Sequence, residues 1–244
     1  MNEAVQTLII PRRFRGPPNS ANGGYVSGAF SVAAGTDLRT KLLRPPPLEQ
    51  PLAVIEQPSG EWRLEGPEGV VATGSAARLE LEVPAPPGYV QAVWASQHYA
   101  GFREHAFPEC FVCGPHRRRG DGLRIFPGML DNGIVAGPWL PSDWLGEGTD
   151  KVAVEHHWAA LDCPGYFAVS GGRRAMLLGE MLAHVDRPVH VGEPCTVIGW
   201  RIAAAEGRKH YAGTAIFDED GELCARARAT WIELRPETPG PAGD

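Results

Sequence analysis

The chain repeats a similar order of predicted elements, once in each half. A short helix rich in small apolar residues is predicted at residues 23–33, and a second one at residues 158–169. Each half then closes on a similar strand, predicted at residues 71–81 and at residues 224–234. Repetition on this scale constrains the fold before any site is considered. It predicts two similar units packed as a built-in dimer, with function expected at the seam between them.

Composition indicates an ordinary globular protein. The 244 residues are 43% hydrophobic and 21% charged, and no apolar run approaches the roughly 20 residues that span a membrane. The five cysteines and a first segment without signal-peptide features favour reduced thiols in a cytoplasmic protein. The net charge of −6 disfavours nucleic acid as a partner, and the excess of arginine over lysine indicates a GC-rich bacterial source. We expect no membrane partner. A homodimer is possible, and the sequence leaves the oligomeric state open.

Proline-rich and aromatic stretches divide the chain. Alternating apolar and charged residues predict a strand over residues 70–83, and shorter strands are predicted at residues 5–10 and 123–126. The segment between the halves is too aromatic for a flexible tether, so we expect it to pack over their junction. The predicted organisation is a first unit at residues 1–83, a linker at 84–122, a second unit at 123–235 and a disordered tail at 236–244.

Short segments of the chain resemble a known superfamily. Residues 19–25, Asn-Ser-Ala-Asn-Gly-Gly-Tyr, are similar to the loop that leads into the central helix of hot-dog acyl-CoA thioesterases. Residues 105–114 and 120–125, with Cys-Phe-Val-Cys-Gly and Gly-Asp-Gly-Leu-Arg-Ile, resemble uncharacterised bacterial members. The resemblance implies an α+β fold over residues 5–235. It is a tandem (double) hot-dog, in which two antiparallel sheets each wrap around a central helix.

The resemblance also implies a function. Such proteins bind an acyl-CoA or related thioester between the two central helices, where helix amides bind the carbonyl oxygen and an opposing carboxylate activates water. We therefore expect a thioester hydrolase whose partner is a small acyl thioester and whose only coenzyme is the coenzyme A of that substrate. The alternative is a non-catalytic module that binds acyl-CoA or lipid, because the fold also serves other functions.

The start of the first helix carries the first candidate residues. Unpaired amides at a helix start stabilise negative charge, so Gly23 and Gly24 are candidates for binding the thioester oxygen. The alternative is that these glycines only allow close packing. Asn22 is expected to position the ester, and Tyr25 to contact the substrate.

Asp162 is the candidate general base. It lies in an apolar segment, where an acid is costly unless it is paired or functional. Helix capping is the alternative, because Pro164 suits a first helical turn. The first helix has no acid between Gly24 and Gly35, and Asp37 follows too late. We therefore expect one composite site per chain, formed by amides of the first unit and Asp162 of the second.

Basic side chains supply the remaining substrate-binding candidates. His157 could orient water or substrate, although surface histidines are more common than catalytic ones. Arg117, Arg118 and Arg119 could bind the phosphates of coenzyme A, or they could form a solvated loop.

Two cysteines have the spacing of a zinc knuckle. Cys110 and Cys113 could supply two ligands, and His105, His116 or Cys163 would have to supply the others. Buried thiols are the alternative, since free cysteine is common in protein cores. Without a second Cys-x-x-Cys pair, we expect no metal site.

Overall fold

The first part of the chain contributes five strands and one helix to the computed structural model. The structure describes residues 6–235, so the tail predicted to be disordered at residues 236–244 lies outside the described residues. Helix α1 spans Gly23–Ala34. The strands are β1 (Gln6–Ile9), β2 (Leu38–Leu42), β3 (Pro51–Glu56), β4 (Glu61–Gly66) and β5 (Gly69–Ala76).

The remaining elements follow a connecting segment that contains helix α2 (Tyr89–Ser96). Two further helices, α3 (Val154–Ala160) and α4 (Asp162–Ser170), are adjacent in sequence. The strands of this part are β6 (Gly128–Met129), β7 (Val135–Trp139), β8 (Met176–Val185), β9 (Cys195–Glu206), β10 (Lys209–Phe217) and β11 (Leu223–Glu233).

The eleven strands found within residues 6–235 belong to one sheet, in which the two parts of the chain lie side by side. The order is β1-β3-β4-β5-β2-β8-β11-β10-β9-β7-β6, and neighbouring strands pair antiparallel. Strands β2 and β8 form the seam, with Thr40 opposite Met181 and Lys41 opposite Glu180. The sequence predicts two sheets, whereas the structure joins them edge to edge. This pairing satisfies backbone groups that two free edges would leave exposed.

Helices α1 and α3 pack closely in opposite directions. A methyl group on Gly24 would lie 2.6 Å from the carbonyl oxygen of Trp158, and one on Gly28 would lie 2.8 Å from Glu155 Cα. Glycine at these two positions therefore allows the helix backbones to approach each other. Within residues 6–235, no helix has the length and apolar character needed to cross a membrane.

The second helical segment is broken, which corrects the prediction of one helix over residues 158–169. Helix α3 ends at Ala160 and α4 begins at Asp162, with Leu161 between them. The proline ring of Pro164 conflicts with the carbonyl group four residues earlier and provides no N–H to continue the helix. The break places Asp162 in the first turn of a new helix.

Two predicted strands also need correction. Strand β5 ends at Ala76 rather than at residue 83, because Leu38 is the first residue of its partner β2 and pairs with Ala76. Leu79 is nevertheless buried, which explains the alternating pattern beyond the strand. Residues 123–126 form no strand, since their amides bond to the loop around Phe111.

Candidate active site

A buried carboxyl group connects the start of α1 with the start of α4. Asp162 Oδ2 accepts hydrogen bonds from Asn22 Nδ2 at 2.6 Å and from Gly24 N–H at 3.2 Å. Asn22 is the N-cap of α1, and its Oδ1 accepts a hydrogen bond from Tyr25 N–H at 2.9 Å. One asparagine thus caps the helix and orients a carboxyl group from the other half of the chain.

The environment of Asp162 disfavours its ionised form. The residue is 3% exposed, and this burial is the main cause that raises its pKa to about 7. Cys110 raises the pKa further, while the hydrogen bonds from Gly24 and Asn22 lower it. Oδ1 is buried and has no hydrogen-bond partner among the described residues. An unpaired buried acceptor costs about 1–3 kcal/mol, so it needs an explanation beyond packing.

A largely apolar cavity of about 380 Å³ lies beside this carboxyl group. Small-molecule pockets have volumes of roughly 300–1,000 Å³, so the cavity has the size of a ligand site. Its polar corner contains Asn22, Gly23 and Asp162. The apolar walls come from both sides of the seam and from the connecting segment, and include Leu42, Leu43, Phe107, Met176, Leu178 and Ile232.

The two glycines at the start of α1 differ in what their amides contact. Gly24 N–H is bonded to Asp162, whereas Gly23 N–H meets no acceptor among the described residues. Gly23 also lines the cavity, and a methyl group there would lie 2.8 Å from Leu178 Cδ2. The amide of Gly23 is therefore the donor at this helix start that a bound molecule can use.

Tyr25 and His157 lie away from the cavity, which corrects their prediction as substrate contacts. Tyr25 stacks on Phe14 with ring centroids 4.0 Å apart, inside a cluster of aromatic rings. His157 is fully buried, accepts a hydrogen bond at Nε2 from Val189 N–H, and is bonded through Nδ1 to Ala153 O. Burial lowers the pKa of His157 to about 4, so the ring is neutral and both nitrogens bind main chain.

Arg117 is also a structural residue, which corrects its prediction as a phosphate ligand. Its guanidinium donates to Glu109 O at 2.8 Å and to Arg13 O at 2.7 Å. A third contact, to the Asp121 carboxylate, measures 3.1 Å. The side chain is buried, so these partners use the donors that a phosphate would need.

A different arginine lies at the cavity. Arg118 and Arg119 are exposed, and neither lines the cavity. Arg44 does line it, two residues after the end of β2, and its guanidinium also donates to Glu68 O. The sequence analysis missed Arg44, whose only signal is its position between a strand and three prolines.

The cysteine candidates meet in space, although they come from two segments. The sulfur atoms of Cys110, Cys113 and Cys163 all lie within 4.8 Å of one another. His105 is next to this group, with Nε2 3.3 Å from Cys113 Sγ. His116 is exposed, whereas the three thiols are buried, so His105 is the histidine that lies next to them.

Comparison with known proteins identifies the fold. No protein-family model and no curated protein matches the chain. A candidate oleoyl thioesterase from Lactobacillus plantarum aligns over 95% of this chain and 96% of its own, with 11% identity and a TM-score of 0.55. The tesB protein of Mycobacterium avium subs paratuberculosis aligns over 88% of both chains, with 15% identity and a TM-score of 0.54.

A third structure aligns with only part of the chain. It is a thioesterase superfamily protein that matches 50% of this chain and 61% of its own, with 21% identity and a TM-score of 0.44. The two long alignments show that this chain has the fold of these two proteins, in agreement with the hot-dog fold that the resemblance implies. At these identities, they establish the fold alone.

Proposed function

We propose that the chain hydrolyses acyl thioesters at a single composite site, with Asp162 as the general base. The observation that carries the proposal is the buried Asp162 carboxyl group, bonded to Asn22 and Gly24 beside an apolar cavity. We also infer a double hot-dog architecture. The sheet order supports it, because each half of the chain supplies an uninterrupted set of neighbouring strands.

In this mechanism, the two halves of the chain supply complementary groups. Asp162 accepts a proton from a water molecule, and the water oxygen forms a bond to the thioester carbonyl carbon. Negative charge develops on the carbonyl oxygen, which Gly23 N–H stabilises as a donor at the helix start. The carbon–sulfur bond then breaks, and the proton passes from Asp162 to the leaving sulfur. The products are a carboxylic acid and a thiol.

Asn22 and Gly24 are positioning residues in this proposal. Both donate to Oδ2 of Asp162, which leaves Oδ1 without a partner and makes it the oxygen that accepts the proton once water enters the site. This assignment differs from the sequence-based hypothesis, in which Gly24 N–H binds the carbonyl oxygen and Asn22 the ester. The reason is that Asp162 already occupies both donors.

The cavity supports an acyl thioester with an apolar acyl group as the substrate. Leu42 and Leu178 line it near Gly23, so an apolar chain can be buried there. Arg44 provides a cation for the phosphates of coenzyme A, in place of the loop at residues 117–119. No cofactor beyond the coenzyme A of the substrate enters the reaction.

A non-catalytic acyl-CoA-binding protein is the second candidate function. Its support is the burial of Asp162, because Oδ1 is buried and Oδ2 already accepts two hydrogen bonds, so water must enter before any reaction. Such a protein would use the same cavity without turnover.

The test measures thiol release from short, medium, long and aromatic acyl-CoAs, corrected for the five cysteines of the protein. Wild type is compared with Asp162→Asn, which retains an oxygen that can accept from Asn22 and Gly24. The matched control is Asp37→Asn, since Asp37 pairs with His184 at 2.6 Å outside the cavity. Binding of each acyl-CoA is measured on the same proteins.

We expect turnover by wild type and by Asp37→Asn, and a loss of roughly 100-fold or more in Asp162→Asn with binding retained. Equal turnover in all three proteins would contradict the assignment of the base. Saturable binding without turnover by wild type would favour the binding protein over the enzyme.

A further inference from the structure

Three buried thiols converge at the border between the connecting segment and α4. Cys110 and Cys113 come from the loop after α2, and Cys163 is the second residue of α4. All five cysteines lie within residues 6–235 and are free thiols there. The Sγ atoms of Cys110 and Cys163 are 3.7 Å apart, far beyond the disulfide bond length of about 2.05 Å.

The spacing of these donors matches the edges of a zinc tetrahedron. Zinc–sulfur bonds of about 2.3 Å at tetrahedral angles place two sulfurs about 3.8 Å apart, and a sulfur and a nitrogen about 3.5 Å apart. The observed distances are 3.7 Å between Cys110 and Cys163 and 3.3 Å between Cys113 Sγ and His105 Nε2. These two distances therefore match edges of a tetrahedron. His105 lies outside the group of donors that are all within 4.8 Å of one another, so its ring must move toward Cys110 and Cys163 to complete the site.

We propose that Cys110, Cys113, Cys163 and His105 bind one Zn²⁺ ion. Three thiolates and one imidazole form a closed structural zinc site of the Cys₃His type. The proposal differs from the sequence-based expectation of no metal site. It is independent of thioester hydrolysis, because it rests on the donor geometry and not on Asp162.

The loop around the cysteines has the tight turn that a zinc knuckle needs. Gly114 N–H donates to Cys110 O at 2.9 Å, and a methyl group on Gly114 would lie 2.5 Å from that oxygen. The turn therefore requires glycine directly after Cys113. It directs both sulfurs of the Cys-x-x-Cys pair toward Cys163.

His105 is oriented by the main chain. Its Nδ1 accepts a hydrogen bond from Phe107 N–H at 2.9 Å, so in this arrangement the neutral ring carries its proton on Nε2, facing Cys113. Zinc binding at Nε2 moves the ring proton to Nδ1. We therefore expect the Phe107 contact to open when zinc binds, and zinc binding to release protons from the thiols.

Zinc at this position would attach the connecting segment to the second half of the chain. His105, Cys110 and Cys163 also line the cavity, so the ion would stabilise one of its walls. Metal binding of this kind contributes directly to folding stability, because the unfolded chain has no preformed site.

The first experiment measures the zinc content of the purified wild-type chain by elemental analysis and zinc uptake by the chelator-treated protein. We expect one zinc per chain, lost in Cys110→Ser and Cys163→Ser. Matched controls are Cys195→Ser and Cys224→Ser, since both residues are buried free thiols outside the cluster. These controls should retain one zinc per chain, and circular dichroism verifies the fold of each variant.

Cobalt substitution tests the ligand set on the wild-type protein, without relying on variants that fold poorly. Tetrahedral cobalt with three thiolates should give intense visible bands and a sulfur-to-cobalt charge-transfer band. His105→Ala should shift the visible bands and weaken binding. A spectrum unchanged in His105→Ala would overturn the fourth ligand. Wild-type protein that is isolated without zinc and takes up neither zinc nor cobalt would overturn the site.

Discussion

Replacement of Asn22 tests the connection between the two halves of the chain. Asn22→Ala removes both the cap on Tyr25 N–H and the donor to Asp162. Asn22→Ser retains an oxygen that can cap α1, but serine is too short to replace Nδ2 at Asp162. The two variants therefore separate the capping role from the contact between the halves.

Each of the two roles of Asn22 has an expected contribution to the free energy of unfolding. Loss of a helix N-cap costs about 0.5–2 kcal/mol. Above about pH 7, where the Asp162 carboxyl group is ionised, loss of a buried hydrogen bond to it costs about 1.5–3 kcal/mol. Asn22→Ala should therefore lower the free energy of unfolding by about 2–5 kcal/mol, and Asn22→Ser by about 1.5–3 kcal/mol. Both variants should also lower kcat, because each leaves Asp162 without its Asn22 donor.

Urea unfolding followed by tryptophan fluorescence measures these differences, and thiol release measures the activity. The reasoning would be refuted if the alanine and serine variants were equally stable. It would also be refuted if both lay within about 0.5 kcal/mol of wild type, as is usual for surface substitutions.

Two further predictions concern the helices. Gly28→Ala should destabilise the protein by about 1–3 kcal/mol through contact with Glu155, although helix propensity alone favours alanine by about 1 kcal/mol; a higher urea midpoint would contradict it. The pKa of His157 is about 4, against about 6.5 when unfolded, so its contribution to stability is complete above about pH 6.5 and lost toward pH 4. The free energy of unfolding of the wild type should fall by up to about 1.4 kcal/mol per pH unit over this range, and His157→Gln should lack this part of the pH dependence. Equal pH dependence in the two proteins would argue against a buried neutral ring.

Site residues can be predicted from the sequence where their type is unusual for the segment around them. Asp162 stands out as an acid in an apolar segment, and Gly23 and Gly24 as glycines at a helix start. The structure brings these three residues together. It does not follow from the sequence that the amides of Gly23 and Gly24 have different partners, because that depends on how α4 is oriented.

Other features depend on contacts that a linear pattern does not contain. Arg117 and Arg44 are both basic loop residues, yet the first is buried among backbone carbonyls and only the second lines the cavity. Cys163 is separated from Cys110 by 53 positions, so the Cys-x-x-Cys spacing alone could not decide between Cys163, His105 and His116 as further ligands. The strand predicted over residues 70–83 is too long, because the alternation of apolar and charged residues continues past Ala76, where pairing with β2 ends.

The crystal structure of this protein with a non-hydrolysable acyl-CoA analogue, in which a methylene group replaces the scissile sulfur, tests the central claim most directly. The account predicts that the carbonyl oxygen lies within hydrogen-bond distance of Gly23 N–H, with the Asp162 carboxyl group on the opposite side of the carbonyl carbon. It also predicts that the acyl chain lies between Leu42 and Leu178. An analogue bound at the Asp37–His184 end of the seam, or bound in the cavity with its carbonyl group away from Asp162, would contradict the account.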